Sequence, residues 1–360
     1  MKIPKLIIFI IIFFSAVSIY PQTVKDLLTQ KPIETDSVIM ETSSTYEATS
    51  EMRDYLKAIY PIISDKWIDE ILSSGEVKSS EKEENTPSSD FVKVKYLVPK
   101  SFLVDTAKIL WELNIPEFRS YLYALYRQDT ILIDIWNNVV GKSDAHTNPG
   151  MFEAYRIRNW PYWKDPEKPE SEPTPPGPNN PLGLFVVHYD ETSLRYFHGT
   201  NQNNLIYSPM RNISHGCVRN DNKNIQKMKE FIIGKVIKST NLSAWLNSKN
   251  TLSYDMEPEE KFPVRILYKT YTVLRDDGGV YIELFKDIYS FSKTKKYDNF
   301  TDPDYIFFST KENILNEYKN RIHDNDIPEE KLLRAIDYVL INSRYYHKYY
   351  LSDIFSVIGD

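Results

Sequence analysis

The chain has 360 residues, with 44 lysines and arginines against 50 aspartates and glutamates, and its formal charge of −6 offers no basic field to a nucleic-acid backbone. Nucleic acid is therefore set aside as a partner. A hydrophobic content of 41% is enough for a core, the length admits two domains, and a single cysteine, Cys217, cannot serve as an internal staple.

In chain order, Lys2 and Lys5 precede an apolar run from Leu6 to Val17, with small residues Ala16 and Ser18 at a cleavage spacing, so residues 1–20 read as a secretory signal. The run is short of the roughly 20 apolar residues a membrane span needs. An uncleaved signal that keeps the chain close to a membrane is the alternative. No cysteine stands near the cleavage region to carry a lipid. Residues 21–90 read as a helical segment and linker. Met52, Leu56, Ile59, Ile63, Trp67 and Ile71 form one apolar stripe over a helix from Glu51 to Leu72 that Pro61 kinks or splits. Polar stretches run from Glu34 to Ser50 and from Ser73 to Asp90, and Ser79 to Ser89 has the composition of a flexible linker.

From Phe91 the pattern becomes strand-like, with β runs at Phe91 to Val98, Tyr121 to Tyr126 and Thr130 to Trp136. Pro166 to Pro181 is a proline-rich loop, since proline removes backbone donors and fixes φ. Leu184 to His188 and Ser193 to His198 follow as strands joined by a turn at Tyr189 to Thr192, which puts His198 at a strand end. Asp221 can cap a helix whose buried stripe is Ile225, Met228, Phe231 and Ile232. Beyond residue 245, Val264 to Tyr271 and Gly279 to Phe285 read as strands about a turn at Arg275 to Gly278, and the last 50 residues read as helices. The expected class is α+β, with a β-rich domain at 91–245 and a C-terminal strand pair and helical extension at 246–360.

The chemistry concentrates at Ser214-His215-Gly216-Cys217-Val218-Arg219 and at His198-Gly199-Thr200. An unpaired thiol in an exported chain, set beside histidines and glycine, fits a nucleophile that attacks as its thiolate. His198 is the candidate base. Gly216, lacking a Cβ, lets backbone N–H groups approach a carbonyl oxygen as an oxyanion hole. The competing readings are an inert buried cysteine and a zinc site, in which His198, His215 and Cys217 would need His146 or His188 as a fourth ligand. Arg219 is either a solvated charge or a bidentate partner for a substrate carboxylate.

The arrangement from His198 to Arg219 resembles the signature of the YkuD-type L,D-transpeptidases, cysteine enzymes that remodel bacterial peptidoglycan. Val140-Gly141-Lys142, Thr147 to Phe152 and the Asn-Pro-Leu-Gly turn ending at Gly183 are similar to further segments of that family. Val264 to Tyr289 is similar to the tail of its larger periplasmic members. Asn148, where the family commonly has threonine, is a departure. The resemblance implies a sandwich-like catalytic domain that needs no metal or organic cofactor. Cys217 would be the nucleophile, His198 the base, and the Gly199 carbonyl the group that orients the imidazole. Ser214, His215 and Gly216 would shape the site, and Arg219 and Thr200 would bind substrate. The implied partners are peptidoglycan stem peptides in the periplasm or cell wall. The implied reaction is a direct cross-link between diamino acids at position three, with loss of D-alanine, at a site that carbapenems acylate. The same site could instead use water or a protein amine as acceptor, or serve as an inactive wall-binding module. The segment at Tyr162-Trp163 and Pro173 to Pro178 is expected to form a lid.

Overall fold

The computed structural model describes residues 23–78, 91–237, 243–322 and 327–359. The expected signal at 1–20 and the linker at Ser79 to Ser89 lie outside these residues. Helix accounts for 29% and strand for 34% of the described residues, so neither dominates and the class is α+β.

Strand β1 (Thr35–Thr42) leads into helices α1 (Thr45–Ile59) and α2 (Asp65–Ser73), and β2 (Glu76–Lys78) and β3 (Val92–Pro99) complete a small antiparallel sheet in the order β1-β3-β2. The stretch Glu34 to Ser50, read from sequence as polar, holds β1 and the start of α1. Only Met40 and Thr42 of β1 are buried, so its composition is that of a strand largely open to water. Ser44 caps α1 by accepting the Glu47 N–H, and Glu47 reaches back to the Ser43 N–H. Pro61 lies in the break between the two helices, so the expected single helix is split there. Met52, Leu56, Trp67, Ile68 and Ile71 are buried, and the Trp67 indole donates to the Leu132 carbonyl at 2.6 Å, fastening the pair to the main sheet.

A short helix, α3 (Lys100–Leu103), precedes the main sheet, whose strands are β4 (Lys108–Asn114), β5 (Arg119–Tyr126), β6 (Asp129–Gly141), β7 (Gly150–Ala154), β8 (Arg156–Asn159), β9 (Phe185–Asp190), β10 (Arg195–His198), β11 (Asn212–Ser214) and β12 (Val218–Asn220). After α4 (Asn222–Phe231) and α5 (Ser243–Asn247) come β13 (Leu252–Asp255) and β14 (Phe262–Lys269). The hydrogen-bonded order is β13-β8-β9-β10-β12-β6-β5-β4-β14, with β11 beside β6 and β7 beside β14. The sheet curls on itself: Trp111 of β4 lies flat on Phe197 of β10, their ring centres 3.9 Å apart. An aromatic contact of this kind contributes about 0.5–1.5 kcal/mol beyond area burial. That fold-back makes the core two-layered, in keeping with the sandwich-like expectation.

Strand β14 lies parallel to β4, Val264 opposite Trp111, so the segment after residue 245 contributes a strand to the same sheet as His198 and Cys217. The hairpin of β15 (Tyr271–Asp276) and β16 (Gly279–Leu284) then pairs with a later strand, and α6 (Phe291–Thr294), β17 (Ile306–Phe307), α7 (Lys311–Arg321), α8 (Glu329–Ile341), β18 (Lys348–Tyr350) and α9 (Leu351–Ile358) follow. Ile314, Tyr318, Leu332, Ile336 and Val339 pack in a second cluster with Val273, Ile282 and Tyr123.

Candidate active site

The two segments singled out in the sequence meet because β10 and β12 are parallel neighbours, with Phe197 opposite Val218 and His198 opposite Arg219. Phe197 and Val218 are fully buried and face the core. Side chains alternate along a strand, so Tyr196 and His198 take the other face together with Arg219 and, one step before β12, Cys217. Sequence separation of nineteen residues is thus converted into adjacency across one strand spacing of about 4.8 Å.

Cys217 is a free thiol, partly exposed, whose sulfur lies 3.7 Å from the Leu194 carbonyl. Its turn is drawn tight by Ser214, whose hydroxyl donates to the Cys217 carbonyl at 2.6 Å and accepts the Gly216 N–H at 3.2 Å. The Gly216 amide is therefore engaged inside the turn. Gly216 has φ of +105°, a conformation that strains any residue with a side chain, and a Cβ there would displace the Arg195 guanidinium. Thr147 holds the turn from behind: its hydroxyl donates to the Gly216 carbonyl at 2.7 Å and accepts the Gly141 N–H at 2.9 Å. The Tyr289 hydroxyl donates to the Gly141 carbonyl and accepts the Thr147 N–H, so a tyrosine from the C-terminal extension closes this brace.

His198 is 4% exposed. Its carbonyl accepts the Asn220 side-chain amide at 3.3 Å. Burial, and then the Arg219 charge, push the imidazole down to about 3, while carbonyls of Gly199, Leu182 and Pro181 pull the other way. Burial likewise pushes the Cys217 thiol up, opposed by the Tyr196 N–H and by the Arg195 and Arg219 guanidiniums. Both directions favour a neutral thiol and a neutral imidazole at rest. The Gly199-Thr200 turn is pinned by Asn222 at the start of α4, which accepts the Thr200 N–H and donates to the Thr200 carbonyl. Thr200 itself is buried and its hydroxyl accepts the Gln202 N–H. Arg219 is half-buried, 3.4 Å from the Gln202 side chain.

His215 points away from this cluster: its Nε2 meets the Glu167 carboxylate at 2.5 Å, and Lys142 approaches the same carboxylate at 3.4 Å. Glu167 belongs to the proline-rich loop, which is stitched together by the Trp163–Thr174 backbone pair and by Asn180, whose amide reaches the carbonyls of Pro161, Thr174 and Pro175. His146 stacks on Tyr289 with ring centres 4.1 Å apart, and His188 packs against Tyr196. Among the described residues no three His, Cys, Asp or Glu side chains group as metal ligands would. The sequence places Thr147 and Tyr289 in segments similar to the family without giving either a role, and it leaves Arg195 and β4 unmarked, the latter because buried Glu112 breaks the apolar run. Glu112 is neutralised by Arg265 and Arg321, from distant parts of the chain.

Twenty-five solved chains match, among them Bdellovibrio bacteriovorus Bd1075 (14% identity, TM-score 0.25, covering 45% of this chain and 48% of that one). An L,D-transpeptidase from Mycobacterium smegmatis matches at 14% identity and TM-score 0.24 over 57% of this chain and 86% of that one. L,D-transpeptidase 3 from Mycobacterium tuberculosis matches at 9% identity and TM-score 0.28 over 68% and 95% respectively. The chain spans about half the length of the Bdellovibrio protein. A search of the curated proteins found no match. The family whose model matches is YkuD, the L,D-transpeptidase catalytic domain, over residues 112–239, the stretch that holds both His198 and Cys217.

Proposed function

We propose that the protein is a peptidoglycan L,D-transpeptidase acting through a cysteine thioester. What supports this reading is the placement of the signature residues Cys217 and His198 on one face of adjoining parallel strands, inside the matched domain. The Cys217 proton passes to His198 as the sulfur attacks the carbonyl of the diamino acid at position three of a tetrapeptide stem. The peptide C–N bond breaks, the imidazolium returns the proton to the departing amine, and D-alanine leaves. The amine of a neighbouring stem then attacks the thioester, gives its proton to His198 and expels the thiolate, which joins the two diamino acids directly.

With the Gly216 amide engaged by Ser214, the Cys217 N–H is the donor assigned to the oxyanion, and one such donor contributes about 2.7–4 kcal/mol to barrier lowering. Arg219 takes a stem carboxylate, Thr200 keeps the His198 turn in shape beside the substrate, and a carbapenem acylates Cys217 in place of the donor. Residues 1–20 direct export to the periplasm or wall. Residues 21–90, 91–245 and 246–360 are assigned as helical segment and linker, catalytic domain and C-terminal extension. No helix among the described residues is long and apolar enough to cross a membrane.

Incubating the purified chain with defined tetrapeptide muropeptides and weighing the products tests the reading. Cross-linked dimers with release of D-alanine, abolished in Cys217→Ala, are expected. Loss of D-alanine without dimers would make water the acceptor, and no change in either protein would sink the enzymatic reading.

A further inference from the structure

The ladder between β9 and β10 pairs Arg195 with Asp190 and Tyr196 with His188, stepping over Tyr189. Such a bulge changes the direction of the side chain beside it. Leu194, just before it, is held at φ of +54°, a backbone state that leucine seldom adopts. Asp190 fixes this bend by accepting the N–H groups of Thr192 and Ser193. The outcome is that Arg195 swings across Gly216. Its Nε donates to the His146 carbonyl at 3.2 Å and another nitrogen to the Ser193 carbonyl at 3.0 Å, so the planar head is gripped from two sides. Among the described residues no carboxylate lies within ion-pairing distance of it, so its charge is not neutralised locally.

We propose that Arg195 is a positioning residue of the acyl-transfer site: its guanidinium wedges the nucleophile turn at Gly216 and holds a fixed, uncompensated positive charge beside the Cys217 sulfur. This rests on Cys217 being the nucleophile of the proposed reaction. Arg195 and Arg219 are not equivalent in it. Both favour the thiolate, but the Arg219 charge also opposes a charge on His198, and it is Arg195 that lies across Gly216. Its grip on two carbonyls also keeps the charge in place while the stem peptide enters, a role the flexible stem of lysine would not fill.

Because the chain has one cysteine, iodoacetamide modification reports Cys217 alone and needs no peptidoglycan. The pH dependence of alkylation in the full chain is expected to shift upward by about one unit in Arg195→Gln, which is about tenfold less thiolate at a given pH below the midpoint. Arg195→Lys, which keeps the charge but not the fork, should hold the midpoint within about 0.3 unit while kcat on muropeptides falls about tenfold at unchanged KM. An unshifted midpoint in a folded Arg195→Gln protein overturns the proposal. If that variant does not fold, Arg195→Lys decides: a rise in KM alone would make Arg195 a substrate contact instead. Should the wild type turn over no muropeptide, the transpeptidase reading fails, and the alkylation profile still judges Arg195.

Discussion

The Thr147 hydroxyl sits between two backbone groups, donating to the Gly216 carbonyl at 2.7 Å and accepting the Gly141 N–H at 2.9 Å, and it is fully buried. One side chain therefore ties the end of β6 to the turn that carries Cys217. Replacing it with valine keeps the volume but leaves a buried donor and a buried acceptor without partners, and each orphan costs about 1–3 kcal/mol. Thr147→Val is expected to lower unfolding free energy in urea by about 2–6 kcal/mol. Turnover on muropeptides should fall at least about tenfold with KM unchanged, because the residue acts through the nucleophile's position and not through substrate contact. Wild-type kcat in a measurably destabilised variant would separate the brace from the chemistry.

The candidate pair, Cys217 and His198, was legible in the sequence because its residue types and spacing point to chemistry directly: one thiol, one histidine at a strand end, and a glycine where backbone must come close. The helix after Asp221 was equally legible, since the cap and the 3.6-residue stripe are local. What stayed hidden depends on contacts between distant segments. Thr147 and Tyr289 matter through hydroxyls that reach backbone groups brought near by the sheet, and Tyr289 arrives from a segment that reads as a separate extension. Strand β14 was visible as a strand, but nothing local says that its neighbours are β4 and β7. Glu112 and Asn114 disguised β4 because a buried carboxylate is tolerated only once Arg265 and Arg321 have been folded against it. Arg195 reads as an ordinary strand cation until the bulge turns it onto Gly216.

Two buried histidines, His188 and His198, make stability depend on acid. Burial, then the charges of Arg158 and Arg156, push His188 down to about 4, and His198 is pushed down to about 3. A histidine whose folded pKa lies below its unfolded value of about 6.5 binds fewer protons when folded. Its contribution is fully present above pH 6.5 and is lost as the pH falls toward the folded value. The unfolding free energy is therefore expected to decline from about pH 6.5 down to about pH 3, with an onset well above the pH at which most carboxylates are protonated. Each unit of unmatched shift is worth about 1.4 kcal/mol. In His188→Gln, which removes one of the two titrating rings, urea titrations across that range should show a shallower decline. An equal slope in the two proteins would place the acid sensitivity elsewhere.

Glu167 gives the proline-rich loop its one charged tie to the nucleophile turn, meeting His215 at 2.5 Å and Lys142 at 3.4 Å. All three side chains are substantially exposed, and pairs of this kind add little to global stability. Their effect is local, on how closely the loop lies over His215, two residues before Cys217. Glu167→Gln is expected to leave the melting temperature within about 1 °C of wild type, while a protease specific for lysine nicks the loop at Lys164 or Lys168 several-fold faster. Salt provides the independent check: at about 1 M sodium chloride the Debye length shrinks to about 3 Å, so the wild-type loop should be cut nearly as fast as the variant's. Equal cutting rates at low salt would mean that Asn180 and the Trp163–Thr174 pair hold the loop without help from the carboxylate.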